Sequence, residues 1–311
     1  MGEERQRPMF SPPVPYPSLD EGIRAAFGSG QSVVSMTGVS GGDINRAYRL
    51  TLKDGARVFM KANTRDNLAF FTAEAEGLSA IAAAGAIRTP ELLGTGTDDR
   101  YGAFLLLSWA EAGPKSGTYW ETFGANLAAM HLADASALVS GGRFGFLHDN
   151  FIGSRRQINS PRGSWTAFFR DCRQAPKLQA ADRRGYFDAE DRKRITKLLD
   201  RLDEHLTEPE RPSLLHGDLW SGNFITGEDG EAWLIDPAAY VGHAEADIAM
   251  TELFGGFPPA FYGAYREAHP LQPEYGHRRD LYNLYHLVNH LLMFGAAYLG
   301  PVRRILRAYG S

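Results

Sequence analysis

Three oxygen-bearing side chains in the second half of this 311-residue chain are spaced for phosphoryl transfer. Asp218 and Asn223 lie five apart in Leu214-Leu215-His216-Gly217-Asp218-Leu219-Trp220-Ser221-Gly222-Asn223, and Asp236 follows thirteen later at the end of the apolar run Trp233-Leu234-Ile235. Those intervals are the ones that separate the catalytic aspartate, the amide ligand and the metal-binding aspartate of kinase-type loops. The chemistry needs an acceptor-only side chain to orient and deprotonate an attacking hydroxyl, which suits Asp218. It also needs oxygen ligands to hold Mg²⁺ on nucleotide phosphates, which suits Asn223 and Asp236. His216 reads as a group that holds the loop by hydrogen bonding.

Such a site needs a cation for the phosphates, and the first half offers Lys61 at the end of Arg57-Val58-Phe59-Met60-Lys61. Period-two alternation puts Lys61 on the face of Phe59. On the next helix, Glu74 falls within the apolar stripe Phe71, Ala75, Leu78 and Ala82, whereas Glu76 projects to the opposite side. A carboxylate on a buried stripe requires a cationic partner. A Lys61–Glu74 pair with a solvated Glu76 is therefore expected. The turn Gly41-Gly42-Asp43-Ile44-Asn45, one hairpin earlier, could bring backbone N–H groups against phosphates. It has neither GxGxxG nor GxxxxGK[ST] spacing, which disfavours dinucleotide-binding and P-loop readings.

The elements that would position these groups can be read in outline. Residues 1–17 carry five prolines and read as an extended arm. A helix is expected at 18–27, then strands Ser32–Thr37, Ala47–Leu52 and Arg57–Ala62, with the hairpin signal Asp54-Gly55 between the last two. A helix from Asp66 to Ala84, stopped by Gly85, precedes strands near Glu91–Gly94 and Ala103–Trp109. Beyond Ala110-Glu111-Ala112-Gly113-Pro114 helical periodicity takes over. Helices are expected near 118–135, 163–173, 188–206, 245–253, 259–267 and 279–299, with short strands around Leu214–Leu215, Asn223–Thr226 and Ala232–Ile235. The fold class is thus α+β, with a small five-stranded antiparallel sheet lobe at 18–109 and a larger, mainly helical lobe at 110–311.

Composition narrows the partners. Apolar residues make up 43% and charged residues 23%, ordinary globular usage. Thirty-three Lys+Arg against 37 Asp+Glu give a net charge of −4, so no nucleic-acid partner is expected. One cysteine, Cys172, excludes an intrachain disulfide framework and a cysteine-built metal site. Residues Leu284 to Leu299 are interrupted by Tyr285, His286, Asn289 and His290 and read as a buried helix, with no membrane span. His286 and His290 read as core or cleft lining. A cytoplasmic location is expected.

With these residues in view, the sequence resembles the fructosamine kinase (ketosamine-3-kinase) family, a branch of small-molecule kinases with a protein-kinase-like fold. Four stretches carry the likeness: Gly41 to Tyr48; Phe59-Met60-Lys61 with Phe71 to Leu78; His216 to Asn223; and Asp236-Pro237-Ala238 continuing from Tyr240 to Met250. Stretches from Gly145 to Arg173 and from Leu284 to Gly295 also look familial. The resemblance implies ATP- and Mg²⁺-dependent phosphorylation of the O3 hydroxyl of a ketosamine, free as a small sugar amine or carried on a glycated protein. The product sheds its sugar, so a deglycation role is implied. By position, Gly41, Gly42, Lys61 and Glu74 would set the phosphates, Leu107 and Trp109 would border the adenine in the hinge Phe104–Trp109, Asp218 would be the base, and Asn223 and Asp236 would hold Mg²⁺. Trp220 would stack on the sugar, and His243 and Glu245 would lie on the substrate side. Ser108 stands where many relatives carry glutamate. Two alternatives remain open: a kinase of the same fold acting on an aminoglycoside, choline or homoserine, and a nucleotide-binding pseudokinase.

Overall fold

A computed structural model describes residues 14–39 and 45–310. After α1 (Leu19–Phe27), capped by the Ser18 hydroxyl, come β1 (Val33–Gly38), β2 (Arg46–Leu52) and β3 (Arg57–Asn63). Next are α2 (Leu68–Ala84), β4 (Leu92–Asp98) and β5 (Gly102–Ser108). The five strands form one antiparallel sheet in the order β1-β2-β3-β5-β4. The β2–β3 turn closes as its sequence dictates. Gly55 takes φ +90°, and the Asp54 carboxylate accepts the Ala56 N–H at 3.0 Å.

Alternation along the strands gives the sheet two unlike faces. Val58, Met60, Ala62, Phe104 and Leu106 pack with Leu19 and Ile23 of α1. Phe59, Ala103, Leu105 and Leu107 meet Phe71, Ala75 and Leu78 of α2. Each large apolar side chain so buried stabilises the fold by roughly 1.5–3 kcal/mol. Lys61 lies opposite Leu105 in the β3–β5 register and shares the α2 face with Phe59.

The remainder begins with α3 (Tyr119–Leu132), the hairpin β6 (Asn150–Ile152) and β7 (Arg155–Gln157), and α4 (Trp165–Phe168). A π-turn (Phe169–Gln174) joins α4 to α5 (Ala175–Arg183), followed by α6 (Ala189–Asp200) and α7 (Leu202–His205). Four short strands follow: β8 (Ser213–Leu215), β9 (Phe224–Thr226), β10 (Ala232–Leu234) and β11 (Tyr240–Gly242). The chain ends in α8 (Glu245–Leu253), α9 (Pro259–Ala268), α10 (Tyr275–Phe294) and α11 (Leu299–Tyr309). A large apolar core joins these helices to Ala80 and Ile81 at the end of α2.

The expected helix 163–173 continues to Arg183. Pro176 removes the N–H that would bond Cys172 O, but Arg173 Nη1 donates to that carbonyl at 3.1 Å, so the helix passes through with a π-turn instead of breaking. The expected helix 279–299 is two helices, because Gly295 takes φ +89° and ends α10. Among the described residues no helix is long and apolar enough to cross a membrane.

Candidate active site

The two ends of the segment from β8 to β11 are stitched together before any side chain is considered. Strands β8 and β11 pair, as do β9 and β10. Ala238 N–H donates to His216 O at 2.9 Å, and Ile235 N–H donates to Asn223 O at 3.1 Å. The loop carrying Asp218 and Asn223 is thereby held beside the segment carrying Asp236. Gly217 permits the approach: it has φ +80°, and a Cβ there would lie 2.1 Å from Ala238 O. Asp236 itself sits at φ +55°, a left-handed conformation that aspartate tolerates better than most side chains.

Buried polar groups fix the loop from behind. The Asp247 carboxylate accepts the N–H groups of His216 (2.7 Å) and Gly217 (2.8 Å) and lies 3.2 Å from His131 Nε2. His216 Nε2 donates to Ile235 O at 2.9 Å, leaving Nδ1 to accept the Asp218 N–H at 3.3 Å. Burial lowers the pKa of His216, which suits this neutral, two-way role. His216 thus holds the loop. Asp247 is a residue that sequence reasoning did not single out; its signal was a carboxylate beside the apolar run Ile248-Ala249-Met250.

The β3 lysine meets the α2 glutamate and the β10-end aspartate at one point. Lys61 Nζ donates to Glu74 Oε1 at 2.6 Å and also to Asp236 Oδ1. Helix α2 reaches this close because it carries Gly77, where a Cβ would stand 3.1 Å from Pro237 Cγ. Burial works against the Lys61 charge, but Glu74 and Asp236 together hold the ammonium above the usual lysine range. Asn223 Nδ2 donates to Asp218 O (2.7 Å) and Oδ2 (3.2 Å), and among the described residues Asn223 Oδ1 accepts no hydrogen bond. Burial pushes the Asp218 carboxyl up to about 7, against the opposing hydrogen bond from Asn223. His286 Nδ1 lies 3.9 Å from Asp218 Oδ1, and burial drives its pKa down to about 3, so its ring is neutral.

Lys61, Glu74, Asp218, Asn223 and Asp236 line a cleft of about 1090 Å³. Val39, Ala47, Phe59, Leu107, Ile225 and Ile235 give it an apolar lining suited to a flat base. Trp109 and Trp220 also line it. Trp220 is 38% exposed, and Gly222 leaves room for its indole, because a Cβ there would stand 2.4 Å from the ring. Ser108 lines the cleft too, but its hydroxyl is engaged locally, accepting the Glu91 N–H at 2.9 Å. Gly41 and Gly42 lie outside the described residues.

Two expectations are corrected. Glu76 is not solvated: it is 7% exposed and accepts a hydrogen bond from His148 Nδ1 at 3.0 Å, because α2 is covered on both sides. His243 and Glu245 do not reach the cleft. They are 4% and 1% exposed, and Glu245 is held by Arg278 through two hydrogen bonds of 2.7 Å. Burial lowers the pKa of His243 to about 4, so it is a neutral packing group.

Among the described residues no cluster of three or more His, Cys, Asp or Glu could hold a metal ion. The free Oδ1 of Asn223 and the half-exposed Asp236 instead make a sparse, all-oxygen pair. That fits a hard cation that keeps most of its waters and binds chiefly to substrate phosphates.

The fructosamine kinase family profile matches residues 16–310. A "probable ketoamine kinase" of Synechocystis sp. is 38% identical over 296 residues, covering 95% of this chain and 97% of that protein. The chloroplastic protein-ribulosamine 3-kinase of Oryza sativa subsp. indica is 34% identical, covering 91% and 80%. The crystal structure of a candidate fructosamine-3-kinase from Haemophilus somnus superposes with a TM-score of 0.82 at 27% identity, covering 94% and 96%. The sheet lobe, the helical lobe and the cleft between them are the protein-kinase-like architecture, and the chain belongs to the fructosamine kinase family.

Proposed function

We propose that this chain transfers the γ-phosphoryl group of ATP to the O3 hydroxyl of a ketoamine such as a ribulosamine or fructosamine, free or on a glycated protein, and so initiates deglycation in the cytoplasm. The observation that carries the reading is the convergence of Lys61, Glu74 and Asp236 in the cleft that Asp218 and Asn223 also line. The names of the ketoamine and ribulosamine kinases among its relatives support the substrate class.

Each residue has a distinct task. Lys61, aligned by Glu74, clamps phosphate oxygens of the nucleotide, and Leu107 and Trp109 border its base. Asn223 and Asp236 would hold Mg²⁺, which when bound neutralises charge on the phosphates. Asp218 takes the proton of O3 as that oxygen bonds to the γ-phosphorus. The bond from the γ-phosphorus to the β–γ bridging oxygen breaks, and ADP leaves. Catalysis rests on positioning and charge stabilisation, since the hydrogen bonds to Asp247 and from Ala238 hold the loop without any help from substrate.

The test is ADP release with Mg·ATP and, separately, a ribulosamine, a fructosamine, an aminoglycoside and choline, with the product located by phosphorus NMR. Phosphate on O3 of a ketoamine is expected. Turnover of an aminoglycoside or choline alone, or of none, overturns the reading. Trp220→Ala is expected to raise KM for the ketoamine about 5–30-fold, the loss of roughly 1–2 kcal/mol of apolar contact, and to move KM for ATP far less. An equal rise in both values would show that the indole does not serve the acceptor.

A further inference from the structure

Beside the main cleft, and sharing Ser154 and Arg155 with it, lies a second pocket of about 610 Å³ between the β6–β7 hairpin and α5. Its charge is one-sided. Arg155, Arg156, Lys177 and Arg183 line it, and Arg184 stands on the adjoining wall of the main cleft. Its one carboxylate, Asp149, is already committed: it accepts from Arg156 at 2.7 and 3.0 Å and from the Asn159 N–H at 2.8 Å. Lys177, only 5% exposed, donates to Asn289 Oδ1 at 2.7 Å, and Arg184 donates to the Leu292 carbonyl. Among the described residues the Arg155 side chain has neither a hydrogen bond nor an ion pair, although the residue is partly buried.

Positive groups gathered in a partly desolvated pocket without a counter-charge are unfavourable, and a chain with net charge −4 has acids available to pair them. The strain is visible in Lys177, whose pKa is pushed down to about 7 by burial and by the charges of Arg155 and Arg173. Burial and the charge of Arg184 likewise lower Arg155. An anion in the pocket relieves all of these.

The pocket is also placed to receive the far end of the acceptor. Asn289, which holds Lys177, follows His286 by three residues of α10, a rise of about 4.5 Å, and His286 lies 3.9 Å from Asp218. We infer that the Arg155–Lys177–Arg183 pocket, with Arg184 on the adjoining wall, binds an anionic substituent, a carboxylate or a phosphate, on the end of the acceptor remote from its reacting hydroxyl. This rests on the ketoamine reading above and sharpens it: the preferred acceptor is an acidic ketoamine. Two sources share that chemistry, the carboxylate of a glycated free amino acid and a phosphate on the sugar.

The experiment compares three ketoamines of one sugar: that of an uncharged alkylamine, that of glycine, and the alkylamine ketoamine bearing a sugar phosphate. For the wild-type enzyme, KM is expected to be about tenfold or more lower for at least one anionic form, the energy of a charge-assisted hydrogen bond. Preference for the glycine adduct identifies the amino-acid source, and preference for the phosphate identifies the sugar phosphate. Arg155→Gln, which removes no internal side-chain hydrogen bond or ion pair, and Arg184→Gln are each expected to shrink the anionic-to-neutral KM ratio toward one. Equal KM values in the wild type, an unchanged ratio in both variants, or a rise confined to KM for ATP overturns the proposal. If no ketoamine is turned over, the kinase reading fails on its own. Calorimetric binding of the glycine and phosphate adducts to wild type and Arg155→Gln then decides the pocket separately, and equal affinities overturn it.

Discussion

Asp218→Asn is expected to lower kcat by about 10²-fold or more while KM for ATP stays within about threefold of wild type. The substitution keeps the shape of the side chain and an oxygen that can accept from Asn223 Nδ2, now 3.2 Å from Asp218 Oδ2. It leaves the Lys61–Glu74 pair and Asp236 untouched. What it removes is the ability to accept a proton from the attacking hydroxyl. The backbone bonds that fix the loop, from His216 and Gly217 to Asp247 and from Ala238 to His216, do not involve the substituted carboxylate. The variant should therefore fold as wild type does, and a melting curve beside the steady-state kinetics checks this. A folded variant with near-wild-type turnover would remove Asp218 from the role of base. Loss of ATP affinity in proportion to kcat would make it a nucleotide ligand instead.

The parts of the site legible in the sequence are those governed by local periodicity. Two residues per strand repeat put Lys61 on the cleft face, and about 100° per helical residue put Glu74 toward it, so their meeting could be anticipated from two short segments. The spacing of Asp218, Asn223 and Asp236 was legible for a similar reason, since one hairpin, β9–β10, separates the loop from Asp236. Misreadings arose where a distant segment decides the environment. Glu76 faces away from the sheet, as the helical wheel implies, but the segment bearing His148 covers that face. The helix expected at 163–173 runs on past Pro176, and nothing local announces that Arg173 satisfies the carbonyl this proline frees. The cationic pocket was unreadable because it joins a three-residue strand at 155–157 to a helix turn at 177–184, each unremarkable alone. His243 and Glu245 follow the Asp236 segment closely in sequence, yet proximity along the chain says nothing about direction, and Arg278, 33 residues beyond Glu245, claims the carboxylate.

That claimed carboxylate sets the largest stability effect expected of a single substitution. Glu245 opens α8, accepts both Arg278 Nε and Nη2 at 2.7 Å, and also takes the Gln272 N–H at 3.2 Å. Arg278 spends its remaining donors on the carbonyls of Pro273 (2.8 Å) and Gln272 (3.1 Å), so one guanidinium ties α8 to the turn before α10. The hydrogen bonds that Arg278 donates to Glu245 raise its pKa despite burial, so the guanidinium stays charged across the working pH range. Arg278→Met would leave a carboxylate that is 1% exposed without its counter-ion and the Pro273 carbonyl without its donor, while the Gln272 carbonyl keeps only the Tyr275 N–H. The expected cost is about 3–5 kcal/mol, or roughly 5–8 °C in Tm for a chain of this size. Glu245→Gln combined with Arg278→Met should recover much of that loss, because the stranded charge, and not the missing attraction, dominates the single variant. Because α8 also carries Asp247, two residues on, the single variant should loosen the loop that bears Asp218. Its kcat should therefore fall even below the melting transition, with the double variant intermediate. A single variant that melts within about 2 °C of wild type would show that water reaches Glu245 and that the pair does not brace the catalytic loop.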